Sequence, residues 1–155
     1  IGSRIITTVG SESKFDYAFK FGADYVFNHS DLNCLSNIEK VLKNNKINVI
    51  FEHIGADTWN QSLRCLSKGG RIVTCGATTG PKVNINLAHL FIKQQSILGS
   101  TMASISAFKE VMDKIKDGKY MPMVDKVIPM EDIRDAHEYI EKREHKGKVV
   151  MVFNE

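Results

Sequence analysis

INVIFEHIGADTWNQSLRCLSKGGRIVTCG, residues Ile47 to Gly76, decides how this chain folds. It opens on an apolar run, Ile47–His53, that reads as a buried strand. Trp59, Leu63 and Leu66 follow at i, i+4 and i+7, one face of a helix that the Gly69-Gly70 pair is expected to stop. Gly70–Gly76 is then a second apolar strand. Strand, helix and strand joined by loops of a few residues form the unit of a parallel sheet, since parallel strands need a long crossover between them.

The same alternation extends outward. Arg4–Val9 reads as a strand of Ile5, Ile6, Thr7, Thr8 and Val9. A helix with Phe15, Ala18 and Phe19 on one face follows, capped by Ser11 or Ser13 and ending near Gly22. Asp24–Asn28 is a short strand, and Leu35, Ile38, Val41 and Leu42 mark the next helix. Downstream, a turn-rich loop at Ala77–Val83 contains Gly80-Pro81, and leads to a short helix at Leu87–Lys93 and a strand at Ser96–Met102. The architecture expected is α/β, a parallel sheet covered by helices on both faces. From about Ser104 the pattern changes. A helix bearing Ile105, Phe108, Val111, Met112 and Ile115 ends at Gly118. A brief strand Lys126–Pro129, a helix with Ile133, Ala136 and Ile140, and a closing strand Lys148–Phe153 complete the chain. Residues 1–103 are expected to form one domain and residues 104–155 an α+β tail belonging to a different layer.

Composition narrows the function classes. With 155 residues, 43% of them hydrophobic and 25% charged, the chain suits a soluble globular domain with a core. A net charge of +3 carried on scattered lysines argues against nucleic acid as a partner. No apolar run approaches the roughly 20 residues of a membrane helix, and no signal peptide is visible. Cys34, Cys65 and Cys75 are odd in number and far apart, which fits free thiols in a reducing cytoplasm. The first residue is Ile1 rather than Met, so either a processed start or a fragment is expected.

In an open parallel sheet, ligands bind beyond the carboxyl ends of the strands. Four places qualify: Gly10-Ser11, Ile54-Gly55-Ala56, Gly76-Ala77-Thr78-Thr79 and Gly99-Ser100-Thr101. Each follows a predicted strand, and small residues there let a ligand lie against the backbone; the alternative is plain turn chemistry. Val9-Gly10-Ser11 has no acidic acceptor for a ribose 2′-hydroxyl. Ser11 near a helix start and Lys14 one turn on would instead suit a ribose 2′-phosphate. The competing interpretation is a serine cap and a solvated lysine, and Glu12 opposes an anion. Five histidines and three cysteines show no metal-ligand spacing. His53 could line the cleft, His89 is expected to be partly buried, and His137 structural. Glu52 and His53, adjacent on a strand, point to opposite faces and so make no acid–base pair. Cys75 is expected as a small buried residue rather than a nucleophile.

Three stretches carry a family resemblance: "GADYVFNHSD", the run from "INVIFEHIGADTWNQSLRC" through "LSKGGRIVTCGATTGPKVNINLAHLFIKQQSILGSTMAS", and the tail "PMVDKVIPMEDIRDAHEYIEKREHKGKVVMVF". Together they resemble the medium-chain dehydrogenase/reductases, in the zinc-type alcohol dehydrogenase and quinone oxidoreductase (zeta-crystallin-like) branches. Gly69–Met102 is the specific part. The resemblance implies an incomplete doubly wound parallel (Rossmann) sheet lacking its first strand and glycine-rich phosphate loop, with the β-rich catalytic domain also absent. It implies a hydride-transferring oxidoreductase that prefers NADP(H) to NAD(H), acting on a small alcohol or carbonyl, quinone or enone. The chain alone is then expected to be inactive, and any catalytic zinc of the parent has no ligands here.

Carried over residue by residue, Ser11 and Lys14 match positions on the 2′-phosphate. His29 stands where relatives often have a tyrosine beside the adenine ribose. Ile54 and Gly55 match the wall beside adenosine and ribose; Gly76, Ala77 and Thr78 match the loop near the nicotinamide. Gly99, Ser100 and Thr101 match the end of the last strand near the nicotinamide amide, and Lys148 a basic residue near the phosphates. No catalytic residue is named by the match. Relatives commonly dimerise through the strand at Ser96–Met102, so a homodimer or homotetramer is expected. With the first strand absent, Arg4–Val9 and Ile47–His53 should either pair directly or leave a gap. Two other classes compete: a non-catalytic nucleotide-binding or dimerisation module, and a methyltransferase-like domain, which would want an acidic residue where Val9-Gly10-Ser11 has none.

Overall fold

The computed structural model describes residues 2–43 and 45–153. The chain divides into two units, one made of Ile1–Glu12 with Ala23–Met102, the other of Ser13–Gly22 with Ala103–Glu155.

In the first unit, β1 (Ile6–Val9) pairs in parallel with β2 (Tyr25–Asn28), Ile6 opposite Tyr25 and Val9 opposite Asn28. A second sheet has the order β3 (Ile47–Glu52), β4 (Leu66–Thr74), β5 (Ser96–Gly99), again all parallel. The helix α2 (Cys34–Leu42) leads from β2 to β3, and the crossovers of the second sheet are α3 (Trp59–Cys65) from β3 to β4 and α4 (Leu87–Ile92) from β4 to β5. Asn86 caps α4, its side chain accepting from the His89 amide. Of the two outcomes expected for β1 and β3, the structure has the separated one: the two strands belong to different sheets. A cavity of ≈ 530 Å³ lined by Arg4, Asn45, Lys46, Asn48, Ser67 and Lys68 opens beside the amino ends of β3 and β4.

The helix expected to run to Gly69-Gly70 ends earlier. Leu66 is already extended, at ψ 135, and lies opposite Ile47 as the first residue of β4. Two steps along β3, Ile47 to Val49, then match five along β4, Leu66 to Arg71. The surplus residues form a bulge in which Gly69 takes φ +68 and its amide reaches the Lys93 carbonyl at 2.8 Å. At Gly70 a Cβ would sit 2.8–2.9 Å from Ser67 and Leu66 side-chain atoms, so a larger residue would require those side chains to shift. Burial of Leu66 outweighs helix continuation: Trp59, Leu66 and Ile72 form the core, and Ile50, Leu63, Val83 and Ile97 pack around it.

The second unit contains α1 (Phe15–Lys20), α5 (Ile105–Lys116), α6 (Ile133–Glu141) and the parallel pair β6 (Val124–Pro129) and β7 (Lys148–Val152). A 3-10 turn at Glu12–Lys14 precedes α1, so Lys14 occupies its N-cap without a side-chain cap. Ser104 caps α5 through the Ala107 amide. Asp125 ties three segments: it accepts from the Tyr139 hydroxyl of α6 (2.7 Å) and from the Lys146 amide ahead of β7 (3.1 Å). These bonds hold Asp125 below the usual carboxylate range, and the bond to Asp125 pushes the Tyr139 phenol up to about 12. Lys126 Nζ lies 3.6 Å from the centre of the Tyr139 ring.

Ile72 is 0% exposed at the centre of the core. Ile72→Ala should therefore destabilise the chain by about 2–5 kcal/mol, read as a lower midpoint in urea unfolding.

Candidate functional site

Because β3, β4 and β5 are parallel, their carboxyl ends share one edge, and three loops leave from it. Backbone bonds tie the loops together. The Cys75 amide donates to the Glu52 carbonyl (3.1 Å), Thr78 to His53 (3.3 Å), Thr79 to Ile54 (2.7 Å) and Ser100 to Thr74 (2.9 Å). Two threonine hydroxyls repeat the pattern, Thr78 Oγ1 to the His53 carbonyl (3.1 Å) and Thr79 Oγ1 to the Ile54 carbonyl (2.9 Å). Thr79 Oγ1 also accepts from the Asp57 amide at 3.1 Å, and the Ala56 amide donates to the Gly80 carbonyl at 3.2 Å. Gly55 sits at φ +96 beneath this lattice, where a Cβ would lie 2.5 Å from the Gly80 oxygen and 3.1 Å from Ala77 Cα. No other residue meets both conditions.

A buried carboxylate organises the first loop. Glu52 ends β3 and is 3% exposed. Its Oε1 accepts from the amides of Ile54 (2.8 Å) and Gly55 (3.2 Å). Thr58 Oγ1 lies 3.0 Å from both carboxylate oxygens, and Ser62 Oγ donates to Oε2 at 2.7 Å. Burial is the largest single influence on this group and pushes its pKa up. The bonds from Ser62, the Ile54 and Gly55 amides and Thr58 together outweigh burial and hold it below the ordinary glutamate value of 4.5. Glu52 is buried while His53 is exposed, as strand alternation requires. The sequence contains a signal for this role: one acid at a strand end with hydroxyls six and ten residues on, in the first turns of the next helix.

The predicted site residues fall into three places. Ile54, Gly55, Gly76, Ala77 and Thr78 meet in the two interlaced loops, where a Cβ on Gly76 would lie 3.1 Å from the His53 carbonyl. Gly99, Ser100 and Thr101 adjoin them through the Ser100–Thr74 bond and are exposed. On the other sheet, the His29 amide donates to the Val9 carbonyl (3.0 Å), and a Cβ on Gly10 would lie 3.4 Å from His29 Nε2. Ser11 follows, half-buried, and no carboxylate stands at the end of β1. Lys14 and Lys148 belong to the second unit. Lys14 Nζ donates to the carbonyls of Arg143 (3.0 Å) and His145 (2.9 Å), so this cation holds the segment ahead of β7. Lys148 is exposed at the start of β7. Two expectations are corrected. Cys75 is exposed because β4 ends at Thr74 and the loop begins there. His89 is exposed, because α4 is covered on one side only.

A parallel sheet with small-residue loops gathered at its carboxyl edge defines an open-sheet α/β protein. Residues 1–117 match the family of zinc-binding dehydrogenases, and the chain belongs to that family. It is 28% identical over 163 residues to quinone oxidoreductase 1 of Escherichia coli (strain K12), covering 98% of this chain and 50% of that protein. The crystal structure of an NAD-dependent alcohol dehydrogenase superposes with a TM-score of 0.84 at 34% identity, over 97% of this chain and 44% of that one. A crotonyl-CoA carboxylase/reductase solved in complex with NADP shares the fold, with a TM-score of 0.87 at 24% identity over 98% of this chain and 44% of its own. The chain spans about half the length of the curated relatives it matches. The family's name implies zinc. Among the described residues no group of three or more His, Cys, Asp or Glu could hold a metal ion, so the donor set here does not fit one. No helix among the described residues is long and apolar enough to cross a membrane.

Because the Glu52 pKa is lowered on folding, its contribution to stability is present above pH 4.5 and is lost as pH falls through the lower folded value. Acid unfolding should show this directly. The chain should lose thermal stability below pH 4.5 more steeply than Glu52→Gln, which has no charge to neutralise.

Proposed function

We propose that this chain is the dinucleotide-binding part, with the C-terminal segment that follows it, of a cytoplasmic NADPH-dependent oxidoreductase. The whole enzyme would act on a small alcohol or carbonyl, a quinone or an enone. One observation carries the proposal: two small-residue loops interlaced at the carboxyl edge of β3 and β4, with Gly99–Thr101 beside them after β5, and β1 ending in Val9-Gly10-Ser11 with no acid. The nicotinamide, when bound, supplies the hydride chemistry. The chain's own residues bind and orient it. Ile54, Gly55, Gly76, Ala77, Thr78 and Gly99–Thr101 offer backbone and small side chains over which a flat ligand can lie. Ser11 offers a hydroxyl to a 2′-phosphate, where a carboxylate would repel it. The roles of Lys14 and Lys148 toward the phosphates, and of His29 toward the adenine ribose, rest on the family resemblance.

The strand order supports an incomplete doubly wound sheet. The two separate parallel sets, β1-β2 and β3-β4-β5, fit a doubly wound 3-2-1-4-5-6 order without its first strand, with β1 and β3 taken as the strands that flank the gap. The basic cavity beside Arg4, Lys46 and Lys68 lies on the side of that gap. Phe51, 73% exposed on β3, is an apolar side chain awaiting cover. Residues 1–103 and 104–155 would then serve as cofactor domain and return segment. Any catalytic zinc of the parent would be held by residues outside this chain, and the chain alone would not turn over.

Calorimetric titration with NADPH and NADH tests this. NADPH should bind more tightly, and Ser11→Asp should weaken NADPH about tenfold or more while sparing NADH, the loss of one charge-assisted hydrogen bond. Equal affinities in both proteins would overturn the cofactor preference, and binding of S-adenosylmethionine instead would overturn the class.

A second function of the same unit, self-association through β5, is favoured by its open edge. Among the described residues β5 pairs only with β4, and Leu98, Phe91 (69% exposed) and Ile92 leave apolar surface beside it. We propose a homodimer or homotetramer assembled there. Leu98→Lys should lower the mass measured by light scattering to that of one chain, and an unchanged mass would discard this interface.

A further inference from the structure

We propose that Glu52 is a positioning residue: its carboxylate fixes the Ile54-Gly55-Ala56 loop and, through it, the Ala77–Gly80 loop, so that two separate loops act as one rigid platform for the dinucleotide. The role rests on the dinucleotide edge proposed above, and adds to it the group that holds the edge in shape. Glu52 does not touch the ligand; it acts through backbone.

The chain of contacts is continuous. Glu52 Oε1 takes the amides of Ile54 and Gly55, which sets the turn that brings Gly55 to φ +96. In that turn the Ile54 carbonyl receives both the amide and the hydroxyl of Thr79, at 2.7 and 2.9 Å. The Ala56 amide meets the Gly80 carbonyl, and the Asp57 amide meets the Thr79 hydroxyl. Ser62 and Thr58 anchor the other end of the carboxylate to α3, so the loop is referenced to the helix as well as the strand. Backbone held this way does not reorganise when a ligand arrives. A buried anion is an expensive group to keep in a fold, and burying it under a loop is explicable when that loop must keep one shape.

Three variants of the full chain test it, with NADPH as the calorimetric probe and amide hydrogen exchange as a second readout. Glu52→Met keeps the bulk and removes every acceptor. It should weaken NADPH binding at least tenfold and speed exchange at the Thr79 and Gly80 amides, in the neighbouring loop. Glu52→Gln keeps one accepting oxygen for the Ile54 and Gly55 amides, and should recover most of the affinity. Ile97→Val trims the core away from the loops, and should lower thermal stability while leaving affinity and exchange at Thr79 within twofold. Should Glu52→Met fail to fold, Thr79→Val removes the two side-chain bonds between the loops, to the Ile54 carbonyl and from the Asp57 amide, and must by itself weaken NADPH binding. Unchanged affinity in a folded Glu52→Met chain, or equal losses in Glu52→Met and Ile97→Val, overturns the proposal. If the unmodified chain binds neither NADPH nor NADH, the dinucleotide edge is wrong. Exchange at Thr79 in Glu52→Met then still decides whether Glu52 couples the two loops.

Discussion

Parallel pairing is the constraint on which the first unit depends. A parallel strand cannot return through a tight hairpin, so each pair here requires a crossover, supplied by α3 between β3 and β4 and by α4 between β4 and β5. The consequence is directional. The loops after β3, β4 and β5 leave from the same edge, and residues far apart in the chain, such as Gly55 and Gly80, become neighbours. The core of Trp59, Leu66 and Ile72 sits where α3 is drawn onto the sheet, and the bulge at Gly69 lets Leu66 stay buried while β4 recovers its register.

Upon that scaffold a single carboxylate sets the local shape. An ionised glutamate in a protein interior is unfavourable unless its lone pairs are satisfied, and Glu52 has amides and hydroxyls converging on it from four residues. The balance shows in its pKa, which stays below the ordinary value in spite of burial. In the second unit Asp125 plays a comparable part nearer the surface, where the Tyr139 hydroxyl and the Lys146 amide bring α6 and the approach to β7 onto β6.

The surface has its own logic. Phe51, Leu87, Phe91, Met102, Phe108, Val127 and Phe153 are large apolar side chains left exposed in both units. Apolar surface in such amount is ordinarily covered by further chain or by partners.

Element order, the parallel class and the loops at the strand ends were legible in the sequence, because each is written in the periodicity and turn chemistry of a dozen neighbouring residues. The helix stop was misplaced because Leu66 satisfies helical spacing equally well, and only its pairing with Ile47 and its burial against Ile72 decide for a strand. The exposure of Cys75 depended on where β4 runs out, a boundary that local composition does not mark. Glu52 looked like half of a discounted pair; its donors are local, but their convergence on it is set by how α3 docks on β3. Lys14 is read in the sequence as a cation one turn into a helix; only the folded chain shows its bonds to carbonyls 129 and 131 residues away. The sequence by itself determined which segments are strands and helices and that small residues stand at the strand ends. Tertiary structure alone decided which of those ends meet and which charges are already engaged, because contacts between distant segments depend on docking that no local pattern encodes.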